Sequence, residues 1–287
     1  MKREKTIFLL VELLLGLLVA AAFLLLRSVD QRNKAEKVSV ILEDSENVKW
    51  SGMKYGIRMA AQDQNAEVFF VSIDTDWTDD TLDALISEEI AGGADAVLTE
   101  EQLILEGPDQ TAIGYALGRA VLEDYSGGIQ GKTLGILAED PDSEVTMLRN
   151  QGFLDAVQDS GADILWSCAE GEDRERIPAE EQPAVDLVAA LDDESTREAG
   201  RLTAAQDLHG AILYGIGESM ESIYYLDSGR AESLVIPDSF QTGYKALLSL
   251  SGSADSIGTA DMPAYYVVNK DTLFTEENEG ILLTLSQ

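Results

Sequence analysis

The sequence predicts an α/β fold: two doubly wound parallel-sheet lobes with a hinge cleft, preceded by one transmembrane helix. Three observations carry this reading. Short apolar runs rich in β-branched residues alternate with segments of helical period, the pattern of crossover units on a parallel sheet. The alternation pauses near Asp109 and starts again, which divides the chain into two lobes. An apolar run, Ile7 to Leu26, broken only by Glu12, stands ahead of both.

The apolar run comes first. At ~1.5 Å rise per residue, about twenty residues cross a ~30 Å hydrocarbon core. Lys2, Arg3 and Lys5 precede it and favour a cytoplasmic N-terminus. A cleaved signal peptide has a shorter core of ~7–15 residues that ends in small residues at the cut. Here Ala20, Ala21 and Ala22 are followed by more apolar chain, Phe23 to Leu26, so an uncleaved anchor is expected. No Cys follows the run closely enough to carry a lipid. The expected order is therefore a cytoplasmic stretch at 1–6, a membrane anchor at 7–26, a polar tether at 27–36 and an extracytoplasmic α/β region beyond.

The first lobe opens with a strand, Val38 to Glu43, and a helix, Asn47 to Gln64, whose apolar positions include Val48, Ile57, Ala60 and Ala61. Glu67 to Ile73 is a second strand. Asp80 to Ala91 is a helix with Leu82, Leu85, Ile86 and Ile90 on one face, stopped by Gly92-Gly93. Asp95 to Thr99 is a third strand. The pattern restarts with a helix at Gln110 to Tyr125 and strands at Lys132 to Ala138, Ile164 to Cys168, Val185 to Leu191, Ala211 to Tyr214, Ser233 to Ile236 and Tyr265 to Asn269. Helices at Ser143 to Ser160, Thr196 to Asp207, Ser219 to Asp227 and Phe240 to Leu250 fill the gaps.

Composition excludes several functions. The chain carries 20 Lys+Arg against 53 Asp+Glu, a formal net charge of −33. Lys2, Arg3, Lys5, Arg27, Arg32 and Lys34 all precede the first strand, so the outer region is strongly acidic and repels nucleic acid and anionic lipid. Cys168 is the one cysteine, so there is no intrachain disulfide. With one His and one Cys, zinc clusters are excluded. A Ser-His-Asp arrangement would have to use His209, which lies between Leu208 and Gly210 at a helix-to-strand junction. Asp74, Asp76, Asp79 and Asp80 match a calcium loop only loosely, with no Gly or closing Glu at the required spacing. Gly215-Ile216-Gly217 lacks the third glycine of a dinucleotide-binding loop. No cofactor is implied, and the chain reads as a non-enzyme.

In open parallel sheets, ligands bind outside the carboxyl ends of the strands. Asp44, Asn47 and Trp50 follow the first strand, Asp192 and Gly217 follow later ones, and Pro237 follows the strand at 233–236. Asp74 and Asp140 hold comparable positions. Planar polar groups bracket hydroxyls, and an indole stacks on the apolar face of a sugar. Each acid can equally be the cap of the helix that follows it.

Several segments together resemble the type 1 periplasmic solute-binding proteins, in the sugar-binding branch related to the ribose-binding protein and the lac-repressor core. They are Val38–Glu43 with Trp50-Ser51-Gly52 and Gly56 to Ala61; Gly93-Ala94-Asp95-Ala96-Val97; Asp109 through Gly118; Arg149-Asn150-Gln151-Gly152-Phe153; Leu191-Asp192-Asp193; Tyr214-Gly215-Ile216-Gly217; and Pro237 through Tyr244. The resemblance covers nearly all of 37–287. It implies two lobes joined by three crossing segments, with a first lobe of 37–108 and 232–262 and a second of 109–231 and 263–287. It also implies that a small solute, usually a monosaccharide, binds in the hinge cleft and is delivered to an ABC importer permease or a membrane sensor. By position, Trp50 would stack on the solute, Arg149 would hydrogen-bond its oxygens and Asp192 would face the cleft.

The chain departs from the family pattern in three places. Nine residues separate Thr99 from Asp109, where the family has a further helix and strand ending in a ligand-contacting acid. The stretch from Ala169 to Pro183 is short and bounded by proline, so the helix expected there is truncated. Gly217 stands where ribose-type relatives carry Asp. An alternative therefore stands beside solute binding: an interaction or sensory module with a degenerate cleft that contacts a partner protein.

Overall fold

A computed structural model describes residues 36–74, 77–168, 179–250, 263–275 and 278. The expected anchor at 7–26, and the tether at 27–36 up to its last residue, lie outside the described residues. Among the described residues, no helix is long and apolar enough to cross a membrane.

The first lobe is built on a three-stranded parallel sheet. β1 (Lys37–Glu43) lies between β2 (Glu67–Ile73) and β3 (Ala96–Thr99). After β1 the chain turns through a short 3-10 helix, Val48–Trp50, into α1 (Ser51–Gln64). α2 (Asp79–Gly92) joins β2 to β3 and is bounded by a reciprocal Thr78–Thr81 cap and by Gly93 at φ 101°. The short stretch after Thr99 holds α3 (Glu100–Glu106) where the resemblance implies a further helix and strand, and β3 is an edge of the sheet among the described residues.

Strand parity divides this sheet into two unlike faces. Val38, Val40, Leu42 and Leu98 pack with Trp50 from the 3-10 turn and with Ile57, Ala60, Leu103, Ala246 and Leu248 from α1, α3 and α8 (Ser239–Leu250). Ser39, Ile41 and Glu43 point the other way, beneath α2. That helix buries none of its residues, although the Ser39 hydroxyl donates to Glu89 at 2.6 Å.

The second lobe is larger. Its sheet runs β5 (Asp163–Ser167), β4 (Thr133–Leu137), β6 (Leu187–Ala190), β7 (Ile212–Ile216), β8 (Ala231–Pro237), β9 (Tyr265–Asn269), parallel except for the β8–β9 pair. Every residue of β6 is buried, as expected of a strand covered on both faces. α4 (Gln110–Glu123) and α5 (Glu144–Val157) cover one face through Ile113, Leu117, Phe153 and Val157. α6 (Asp193–Ala205) and α7 (Met220–Asp227) cover the other through Ala199, Ile223 and Leu226.

α4 and α5 approach to backbone contact. A Cβ on Gly114 would stand 1.8 Å from the Arg149 carbonyl oxygen, and one on Gly152 would stand 1.9 Å from that of Thr111. Only glycine permits this approach.

The lobe boundary at 232 needs correction. β8 pairs with β7 and β9, so residues 232–237 belong to the second sheet. The return crossing falls after Pro237, where α8 leaves to pack against α1. The reason is burial: Leu234, Val235 and Ile236 are fully enclosed between the two helical layers of that sheet.

Candidate functional site

Ile41, Glu43, Ile73 and Thr99 all project from the α2-facing side of the first sheet, at the carboxyl ends of its strands. They line a cavity of about 450 Å³, together with Trp77 and Leu82 from the start of α2 and Glu100 and Glu101 from α3. Gly107, Pro108, Asp109 and Gln110 in the crossing segment close one side. Ser143, Glu144, Val145 and Leu148 at the start of α5 supply the wall of the second lobe. The volume lies in the range of small-ligand sites, ~300–1,000 Å³. Both lobes and a crossing segment contribute, so a change of lobe angle changes its shape.

Burial pushes the Glu100 carboxyl up from its ordinary value, and the nearby Glu43 charge adds to this; Lys49 and a backbone hydrogen bond at Glu43 oppose it. Asp109 is engaged on one side as the cap of α4, accepting from the amides of Thr111 at 2.9 Å and Ala112 at 3.3 Å. Trp77 is 37% exposed, and its ring is available to the cavity.

None of Asp44, Asn47, Trp50, Arg149, Asp192, Gly217 and Pro237 lines this cavity, nor do Asp74 and Asp140. Trp50 is 8% exposed and belongs to the core of the first lobe, its indole N–H donating to the Glu43 carbonyl at 2.9 Å. Asp44 takes a left-handed conformation, φ 42°, in the turn after β1. Asn47 is exposed in that turn, its side chain 3.4 Å from Asp44 Oδ2 and accepting from the Lys49 amide. Both shape the turn. Pro237 ends β8 opposite Tyr265.

Asp192, Gly217 and Arg149 gather at the carboxyl ends of the second sheet. Asp192 serves as a helix cap: Oδ1 accepts from the Ser195 amide at 2.7 Å and Oδ2 from the Glu139 amide at 2.8 Å. A Cβ on Gly217 would lie 2.8 Å from Ser222 Oγ and 2.9 Å from Asp193 Oδ1, so an aspartate there would have to displace those side chains. Asp193 Oδ1 instead accepts from the amides of Glu218 and Ser219 and from the Ser222 hydroxyl. Arg149 donates through Nε to Gln110 Oε1 at 2.8 Å and through a terminal nitrogen to the Leu191 carbonyl at 2.9 Å. Burial lowers its pKa, and the charges of Asp192 and Glu218 oppose this. Arg149 therefore ties the crossing segment to the second lobe and stands behind the cavity wall.

Glu218 completes this group. Its carboxyl accepts from the Ser239 hydroxyl at the start of α8. Burial pushes it up to about 7, with the Asp193 and Asp238 charges adding; the Ser239 bond and Arg149 pull the other way.

Comparison with known proteins fixes the family. Residues 98–255, more than half of the chain, match the model of the periplasmic binding protein domain. The chain belongs to the periplasmic binding protein family. Solved structures agree on a type 1 periplasmic binding fold. GanP, a glucose-galactose binding protein from Geobacillus stearothermophilus, superposes with a TM-score of 0.65 at 19% identity, over 84% of this chain and 100% of that one. A carbohydrate transporter solute binding protein from Agrobacterium radiobacter, solved with D-arabinose, gives 0.66 at 16% identity, over 86% and 99%. XylFII in its complex with LytSN gives 0.63 at 15% identity, over 83% and 98%. No curated protein matches the chain by sequence.

Proposed function

We propose that this chain is a membrane-tethered extracytoplasmic solute-binding protein that takes a small polar solute of sugar size into the cavity between its lobes. The cavity carries the proposal. It lies at the strand ends where open parallel sheets bind ligands, both lobes wall it, and it combines an exposed indole with carboxylates and hydroxyls. The membrane tether rests on the apolar run at 7–26. An ABC importer permease or a membrane sensor is the expected recipient of the solute. The sugars named for the similar structures support the ligand class, and the XylFII–LytSN complex is a precedent for a protein partner.

The test is ligand-induced change in Trp fluorescence and melting temperature, screened over monosaccharides and related solutes. Binding should raise the melting temperature. Trp77→Ala should remove the fluorescence response while leaving the fold intact, because Trp77 is partly exposed. A binding response that survives in Trp77→Ala with full amplitude would remove the cavity from the site. Membrane fractionation with N-terminal sequencing tests the tether: a mature start near 21–31 would refute it.

One observation favours the second reading, a partner-contacting module. Among the described residues β2 and β3 are edge strands of the first sheet, and Phe69 on β2 and Ile90 on α2 are 52% and 56% exposed. A partner that binds whether or not solute is present, and loses affinity on Phe69→Glu, would support it.

A further inference from the structure

The cavity lining is rich in acceptors and poor in donors. Five acidic residues border it: Glu43, Glu100, Glu101, Asp109 and Glu144. No Lys, Arg or His side chain borders it among the described residues. The candidate side-chain donors are the hydroxyls of Thr99 and Ser143, the indole of Trp77 and the amide of Gln110, and that amide is already donating to the Pro108 carbonyl at 3.1 Å. Arg149 is committed to Gln110 and the Leu191 carbonyl, and Lys49, whose charge reaches Glu100, lies 4.6 Å over the ring of Trp50 and does not line the cavity.

This lining suits a particular hydrogen-bond inventory. A neutral polyol presents each hydroxyl as donor and acceptor at once, so its site must supply both. A carboxylate ligand presents acceptors only and would meet five like charges. An ammonium group presents three donors and no acceptor, and matches an acceptor-rich wall. The remaining wall, Ile41, Ile73, Leu82, Val145 and Leu148, is apolar and suits a hydrocarbon or ring body. Trp77 adds a π-face of the kind that attracts cations.

Resting on the solute-binding reading, we propose that the occupant of this cavity is an organic cation: a protonated amine carried on a ring-sized, partly apolar body. Burial holds the Glu100 carboxyl above its ordinary value, with the Glu43 charge a smaller contribution, and a cation beside it would favour the ionised form.

Two isosteric series separate charge from shape: glucose, glucosamine and glucuronate with hydroxyls, and cyclohexanol against cyclohexylamine without them. Calorimetric titration of the full chain in detergent micelles, at about pH 6.5 and low salt, reads affinity for each. The amine of each pair should bind at least tenfold more tightly than its neutral partner, about 1.4 kcal/mol. Glucuronate should not bind, and the preference should shrink at about 0.5 M salt. Glu100→Gln and Glu43→Gln should each lower the ratio of amine to neutral affinity severalfold. Glucose binding as tightly as glucosamine would overturn the charge assignment and leave solute binding standing. Amine preference that persists in both Gln variants would also overturn it, because the charge would then be read elsewhere. No response to any of the five probes at millimolar concentration would overturn the assignment and the solute-binding reading together.

Discussion

Glu218→Gln should stabilise this protein, and by more as the pH rises. The carboxyl of Glu218 is enclosed by Asp193, Asp238, Arg149 and Ser239, and burial pushes it from 4.5 in the open chain to about 7 in the fold. A group whose folded pKa is raised contributes its full stability below the unfolded value and loses it as pH rises through the folded one. At about 1.4 kcal/mol per pH unit, this corresponds to about 3 kcal/mol between the two limits. The amide of the variant cannot ionise, yet it keeps an acceptor for the Ser239 hydroxyl. The stability gap between variant and native chain should therefore be about 1 kcal/mol or less at pH 5 and widen by roughly 2–3 kcal/mol at pH 8. In thermal melts that is a widening of several degrees, at about 2–4 °C per kcal/mol for a lobe pair of this size. Comparing the gap at the two pH values cancels the titration of the other acids. A gap that stays constant from about pH 5 to pH 8 would mean that Glu218 ionises in the fold at its ordinary pKa, and the enclosure would be refuted.

Three further substitutions probe individual side chains. Trp50→Ala should destabilise the first lobe by about 3–5 kcal/mol, read by circular dichroism melts, because it empties core volume and frees the Glu43 carbonyl; an unchanged melt would return Trp50 to the surface. Arg149→Met should lower the melting temperature by the equivalent of about 2–4 kcal/mol, since Gln110 and the Leu191 carbonyl lose their donor and Asp192 and Glu218 lose a facing charge; a normal melt with weakened solute binding would place Arg149 in the site after all. Gly152→Ala should cost about 2 kcal/mol or more in chemical unfolding, because its Cβ would meet the Thr111 oxygen at 1.9 Å; tolerance would show that α4 and α5 can separate freely.

The strand and helix pattern of this chain is legible because hydrophobic period and glycine stops agree along most of its length. β2 and β9 carry the boundaries read from sequence, and most other elements agree within a few residues. α3 escapes a sequence reading because it is only seven residues long and follows β3 without a loop, so its start signal, the Thr99–Gln102 capping box in which each side chain accepts from the other's amide, overlaps the end of the strand. The return crossing is misplaced because a strand buried on both faces, such as β8, has no polarity pattern to say which sheet it joins.

The site is less legible, and its two tryptophans explain why. Both stand just ahead of a helix that follows a strand. Trp50, Ile57, Ala60 and Ala61 are all buried, and their spacing of seven, ten and eleven places them on one helical face. That stripe is readable in the sequence and marks Trp50 as core. Trp77 precedes the Thr78 cap of a helix that buries nothing, so it has no core to join and turns to the cavity. Strand parity carries a second signal. Glu43 shares its face with Ile41 and so lines the cavity, whereas Asp44, one residue later, has left the strand and serves the turn. The strand-end rule points to the end of the sheet where the cavity lies, but the last strand residue of the correct parity, and not the first turn residue, is the one that lines it. The acidic lining has a simple origin in the chain: Glu100 and Glu101 open α3 directly after Thr99, the last residue of β3, and all three line the cavity.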